Sequence, residues 1–344
     1  MKKKLILSVL ILTTLAGKSQ SGNRTPYMTK EFASETITSV ESKTSGGNIT
    51  VSGGSSVSRV EVYVTNNNGR DNLSKEEIQR RLDDDFTLTV SAGGGKLTAT
   101  AKPKHKITNW NHTVNVSFKI FVPQNTSTDL KTSGGNISLD HLNGTEDFST
   151  SGGNLTVVQL TGKITGETSG GNIDVRDSKD DIDLGTSGGN IDAKNCSGKI
   201  KINTSGGNLD LTNLKGNVHA VTSGGNVDGN TIDGELFAET SGGNVSLMDL
   251  TCSVEASTSG GNIDVEVKEL RGYVKLHNSS GHIDLTIPAN KGVDLKLSAD
   301  KIKTGNLQNF SGSAEDHEIN GKLNGGGIPV RVDASGGRIS LAFR

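Results

Sequence analysis

Cysteine, proline and aromatic side chains are all scarce in this chain, with 2 Cys, 5 Pro and 12 aromatics among 344 residues. Cys196 and Cys252 stand 56 residues apart, about three of the repeat units described below. Stacked strands rise about 4.8 Å each. The resulting separation of roughly 14 Å exceeds the Cα distance of about 7 Å that a disulfide tolerates. A bridge is therefore excluded, and Cys196, which occupies a Leu/Ile position of the repeat, reads as a small buried hydrophobe. Long helices are disfavoured too, because 45 Gly and many β-branched residues weaken them. A basic excess is missing, which argues against a nucleic-acid partner. No long apolar run follows the first residues, so the mature chain has no transmembrane span.

The first residues are a special case. "MKKK" and the apolar run "LILSVLILTTLAG" have the layout of a secretory signal peptide, residues 1–20. Its thirteen apolar-run residues are too few for a membrane span, which needs about 20. No cysteine follows the run, so a lipid-anchored lipoprotein is not expected. Cleavage near Gln20 would remove four lysines and no acid, leaving 32 basic against 38 acidic residues. The expected locations are the periplasm, the outer surface or the medium.

What is abundant is repetition. TSGGN begins at residues 132, 150, 168, 186, 204, 222, 240 and 258, every eighteen residues without a slip. Counting the Thr as offset zero, offset five is always aliphatic, from Ile137 through Ile173 to Ile263. Offset seven is mostly Leu or Val, offset ten mostly Leu, and offset fourteen Ile, Val or Leu from Ile164 to Val254, with Glu146 out of line in the first unit. The alternation at five and seven, and at fourteen and sixteen, is that of strands with one buried face. Each unit thus holds two short strands, one bend at TSGG and another near offsets eleven to thirteen, where Gly144, Gly162, Gly198, Gly216 and Gly234 stand.

A unit of this size cannot fold alone. Its five or so aliphatic side chains yield roughly 7–15 kcal/mol on burial, against on the order of 18–36 kcal/mol to order eighteen residues. Stacking on neighbours closes that gap. The expected fold is all-β, a single-stranded parallel β-helix (β-solenoid) with 18-residue coils and TSGGN corners. In it the glycines would supply backbone angles closed to other residues. Asn136, Asn154, Asn172, Asn190, Asn208, Asn226, Asn244 and Asn262 would form a structural ladder of amides bonding one to the next.

The flanks are less regular. Residues 21–131 read as an irregular N-terminal β segment and cap, 132–275 as the regular array, and 276–344 as irregular coils of the same solenoid. "TSGGNITV" at 44–51 is a clean copy and "SAGGGKLTAT" at 91–100 a worn one. "LSKEEIQRRLDDDF" predicts one short helix, capped by Ser74 with Glu77 three residues on. "VSRVEVYVTN" and "HTVNVSFKIFVP" predict strands, and the segment from Tyr27 to Phe121 carries seven of the twelve aromatics.

Recurrent "TSGGNIDV" phrases after a "VP" strand, and the closing "NGGG…SGGRISL", resemble the bacterial DUF4097 family of candidate adhesins. The resemblance covers most of the mature chain. It implies an exported β-solenoid, often in envelope contexts, with no established enzymatic activity and no functional residues to carry over.

Candidate sites are few. At offset six, Asp174, Asp192, Asp210 and Asp228 follow one another in successive units. Such a row could attract Ca²⁺, but calcium-binding repeats read G-G-x-G-x-D, and "GGNIDV" does not match. The reading adopted is a solvated acidic stripe near Arg176, Lys194 and Lys201, with no metal and no cofactor. Catalytic residues are not expected, because a nucleophile is needed once and the eight serines are equivalent. His277 and His282 read as capping or polar-ladder residues. Flat outward T-x-T rows of the ice-binding kind are missing. The expected role is an envelope scaffold or adhesion-like surface, its partner an envelope component, a cell-surface protein or a glycan. The alternative is a carbohydrate- or peptidoglycan-binding module using the aromatic N-terminal segment, with Trp110 as the candidate ligand-binding residue.

Overall fold

A computed structural model describes residues 25–67, 73–105 and 113–344. Those residues are nearly all β: a single helix, Lys75–Asp85, accompanies 26 strands joined in one hydrogen-bonded sheet. The helix starts where Ser74 accepts the Glu77 N–H at 3.2 Å, the cap its sequence predicts. The signal-like leader and Trp110 lie outside the described residues.

Pairing between the repeats is parallel, and its register is the sequence period. Leu155 lies opposite both Ile137 and Ile173, and Ile173 opposite Ile191. The second strands do the same, as in Ile164 with Ile182 and Ile182 with Ile200. A parallel neighbour eighteen residues away places like side chain on like side chain. Offsets five, seven, ten, fourteen and sixteen therefore form columns that are aliphatic at most levels, and Ile173, Val175, Ile182, Leu184 and Cys196 are all at most 1% exposed. Ser178, which interrupts the offset-ten column, is also buried. Its hydroxyl donates to the Arg176 carbonyl at 2.9 Å and accepts the Leu160 N–H at 3.1 Å.

Two corners differ from expectation. The bend between the strands sits at offset nine, where His141, Gln159, Asp177, Asn195, Asn213, Thr231 and Asp249 all have φ of 52–58°. Asn and Asp tolerate this left-handed conformation best, and they hold four of the seven places. Offsets eleven to thirteen, expected to be the bend, already belong to the second strand, as in Thr161–Thr168. The TSGG glycines, for their part, are not in the left-handed region. The second of each pair is required for another reason: a Cβ on Gly171 would sit 1.9 Å from the Gly153 carbonyl oxygen, and the same contact recurs from Gly135 to Gly261. A Cβ on the first, Gly170, meets nothing closer than 3.8 Å.

At both ends the stacking order departs from the chain order. Ile49–Ser52 is flanked by Ile137–Asp140 on one side and by Val114–Phe121 on the other, so the 44–51 copy joins the array directly across 88 residues. The segment at 91–100 is not a worn corner: Phe86–Gly93 and Lys96–Pro103 form an antiparallel hairpin whose turn residues Gly94 and Gly95 have φ of 61° and 81°. At the other end, Ile328–Phe343 pairs with Val274–Asn278 and Ile283–Ile287 on one side and with Val293–Thr304 on the other. Antiparallel strands Glu318–Leu323 and Phe310–Ala314 continue the sheet beyond it.

Candidate functional site

The most repeated residues face each other from repeat to repeat. Each corner threonine is buried and makes two bonds. Thr150 donates to the Gly135 carbonyl at 2.9 Å and accepts the Gly153 N–H at 3.3 Å, and the pattern recurs from Thr132 to Thr258. Beside it runs an asparagine column. The side-chain carbonyl of Asn136 accepts the backbone N–H of Asn154 at 2.8 Å, and so on through Asn172, Asn190, Asn208, Asn226, Asn244 and Asn262. The bonds run from backbone N–H to side-chain Oδ1 rather than between side-chain amides, because the corner turns each N–H toward its neighbour's Oδ1. The column starts at Asn48, whose Oδ1 accepts the Asn136 N–H at 2.9 Å, and ends at His282, whose N–H donates to Asn262 at 3.0 Å. One level on, Asn278 replaces the threonine: its amide donates to the Gly261 carbonyl and accepts the Gly281 N–H, both at 2.8 Å. The His282 ring nitrogen Nδ1 accepts the Arg338 N–H at 3.3 Å, while His277 contacts Asp333.

Asp174, Asp192, Asp210 and Asp228 lie opposite one another on adjacent strands, and the row resumes at Asp264 and Asp284. Partial burial, and then Asp228 and Asp192, push the Asp210 carboxyl above its usual range; burial and Asp284 do the same for Asp264. Arg176 pairs with Asp174. Lys201 does not serve this row: it pairs with Asp183, on the other outward face, at 3.1 Å. Among the described residues no group of three or more His, Cys, Asp or Glu side chains is placed to hold a metal ion.

That other face belongs to the second strands and carries relief that the acidic row lacks. Offset fifteen points outward there, and its column reads Thr165, Asp183, Lys201, His219, Phe237 and Glu255, then Lys275, Arg331 and Lys296. His219 and Phe237 stack with centroids 4.6 Å apart at 10°. A groove of about 600 Å³ lies on one side of this stack, lined by hydroxyls such as Ser151, Thr165 and Ser187 together with Asp183 and Lys201. A second groove, about 520 Å³, lies on the other side around Lys275, Arg331 and Lys296. Offset fifteen changes residue type at every level, so periodicity alone does not mark it; the adjacent ring residues His219 and Phe237 are the signal available in the sequence.

Two buried groups stand apart. Cys196 and Cys252 are both free and buried, and desolvation raises both thiols, that of Cys252 to about 12. Glu146 is fully buried in the offset-fourteen column. Thr128 donates to its Oε2 at 2.5 Å, while among the described residues Oε1 has no partner. Desolvation lifts this carboxyl to about 7, against the opposing effect of the Thr128 bond.

Residues 176–342 match the DUF4097 family, described as Toastrack DUF4097. Similar solved structures include an adhesin candidate from Parabacteroides distasonis, 13% identical, covering 91% of this chain and 96% of that one with a TM-score of 0.36. A lipid-binding protein candidate from the same organism is 15% identical, with coverage of 93% and 98% and a TM-score of 0.30. An adhesin candidate from Bacteroides fragilis is 12% identical, with coverage of 91% and 96% and a TM-score of 0.26. No curated protein matches the chain significantly. Among the described residues no helix is long and apolar enough to cross a membrane.

Proposed function

We propose, for a chain that belongs through residues 176–342 to the DUF4097, or Toastrack, family, that it is an exported, non-enzymatic scaffold presenting an adhesion-like surface in the cell envelope. In this reading the stacked pairs close into a parallel β-solenoid, one 18-residue coil per repeat. Residues 132–275 form its regular body, 21–131 cap it, and 276–344 complete it with irregular coils. The leader at 1–20 is the basis for export.

One observation carries the reading. Three polar atoms that recur in every repeat, the Thr hydroxyl, the carbonyl of the second Gly and the Asn Oδ1, are bonded to the adjacent repeats. They are occupied in holding the frame. The outward column at offset fifteen, by contrast, changes residue at each level and is the part open to a partner. A periodic frame with an aperiodic face suits recognition of an extended surface.

The test is display and attachment. Producer cells carrying an epitope-tagged chain are treated with protease while intact, and cells with and without the gene are compared for retention on surfaces coated with envelope fractions. Cleavage of the tag on intact cells together with gene-dependent retention is the expected outcome. A protected tag that fractionates with the cytosol overturns the reading.

A further inference from the structure

We infer that the second outward face, from the groove at Thr165 to the groove at Arg331, is a binding site for an extended acidic polysaccharide. The inference rests on the envelope reading above and names the chemical class of its partner.

Three observations converge on this face. The first is charge. Lys275, Arg331 and Lys296 stand opposite one another on three adjacent strands. Like charges in register destabilise a sheet. Lys275 has a partner in Glu255 at 3.0 Å, with Tyr273 4.7 Å beneath it. Among the described residues Arg331 and Lys296 have no ion-pair partner. On the first strands the matching column reads Asp264, Asp284, Ser340 and Lys303, so acids flank only the level of Lys275. An anion is the complement that relieves the cluster of Lys275, Arg331 and Lys296.

The second is shape and lining. The cationic groove, about 520 Å³, also presents Ser257, Ser298 and the His277–Asp333 pair, 3.0 Å apart. The other groove, about 600 Å³, is edged by hydroxyls of successive corners. Hydroxyls and paired polar groups recognise hydroxyl-rich ligands, while cations recognise their carboxylates. A bilayer would call for a flat or convex basic face with apolar side chains to insert, and a peptide for an open strand edge or an apolar pocket. This face is concave, carries charged and hydroxyl side chains, and is formed by strands already paired on both sides, with no open edge for a peptide to extend.

The third is continuity. Ten consecutive parallel strands, from the one bearing Asp147 to the one bearing Lys296, build the face. At about 4.8 Å per step they span on the order of 43 Å. The stacked rings of His219 and Phe237 lie between the two grooves, where their outward edges offer an apolar contact to a passing sugar. A linear chain along the stack meets hydroxyls with Glu167, Asp183 and Lys201 among them, then rings, then Glu255 and the cations.

The experiment titrates the whole mature chain with octagalacturonate by calorimetry, beside a neutral dextran octamer and vesicles of phosphatidylglycerol. Variants are Arg331→Gln with Lys296→Gln, and Phe237→Ser, all outward-facing; unchanged thermal melting verifies their fold. Octagalacturonate is expected to bind, to weaken with added salt, and to lose about tenfold in affinity in the double variant. Phe237→Ser is expected to weaken it by several fold, and the dextran not to bind. Equal binding by wild type and double variant, no binding to octagalacturonate, or tighter binding to the vesicles overturns the inference. The wild-type chain is also assayed for display on intact cells. A wild-type chain that is displayed but does not bind octagalacturonate overturns the polysaccharide assignment alone; a cytosolic wild-type chain overturns the envelope reading beneath it.

Discussion

Glu146 gives the fold a pH dependence that a single substitution should remove. Every other repeat after it carries Ile, Val or Leu at this position, through to Val254. Here a fully buried carboxyl sits between Thr128 on one neighbouring strand and Ile164 on the other. Its pKa rises from 4.5 to about 7 because burial removes water from the charged form. Below the lower value both the folded and the unfolded chain are protonated and no cost arises. Between the two values the folded chain keeps a proton that the unfolded chain releases, so stability falls as pH rises; above about 7 the whole penalty stands. At 1.36 kcal/mol per pH unit the penalty is about 3 kcal/mol.

Glu146→Gln keeps the shape and an oxygen for the Thr128 hydroxyl while removing the charge. Thermal unfolding followed by far-ultraviolet circular dichroism, at a series from about pH 4 to about pH 8.5, reads the difference. For a chain of this length about 3 kcal/mol corresponds to roughly 5 °C. The variant is expected to gain that much over wild type at the alkaline end and nearly nothing at the acid end. Melting curves that stay parallel across the range would refute the reasoning, because they would mean that Glu146 ionises freely where it sits.

Three further outcomes follow from the corners and the acidic row. Gly171→Ala, whose Cβ would meet a carbonyl oxygen at 1.9 Å, is expected to cost several kcal/mol in urea unfolding, on the order of 3 or more, while Gly170→Ala, with 3.8 Å to spare, stays within about 0.5 kcal/mol. Asp180 holds a φ of 87° where Gly162 and Gly198 stand at the same offset of adjacent repeats, so Asp180→Gly is expected to raise the melting temperature by the equivalent of about 1 kcal/mol. Asp210→Asn, between Asp192 and Asp228, is expected to stabilise at low ionic strength by about 0.2–1 kcal/mol, and the gain should shrink in high salt; a gain independent of salt would show that repulsion is not its source.

Much of this molecule was readable before any coordinates, because its physics repeats. Ile173, Ile191 and Leu209 recur at one offset and pack at one depth, so their burial is a statement about period. The helix at Lys75–Asp85 announced itself through Ser74 and Glu77. Other features were hidden because they depend on a neighbour rather than on the residue. The second TSGG glycine looks like a turn residue, yet what excludes a side chain is the carbonyl of the previous repeat. The bend at offset nine had a signal in Asp177, Asn195 and Asn213, but His141, Gln159 and Thr231 obscured it. The 91–100 stretch shares its glycines with the corners, and only the antiparallel partner strand reveals a hairpin. Trp110, the candidate ligand-binding residue, lies outside the described residues, whereas the face with shape and charge is built from Phe237, Lys296 and Arg331. These residues are far apart in sequence, at an offset with no constant residue.

The out-of-order tiers at the two ends impose a timetable on assembly. The middle of the array can form as a zipper does, each new repeat docking on the one just made, with a contact span of eighteen residues. Residues 44–52 cannot finish that way: one flank arrives with Val114–Phe121 and the other only with Ile137–Asp140. Val293–Thr304 likewise waits for Ile328–Phe343 to slide beneath it. A body that grows by increments is thus bolted at both ends by late, long-range closures. Once outer antiparallel strands such as Met28–Phe32 and Phe310–Ala314 have peeled away, loosening the array further means withdrawing an interior strand.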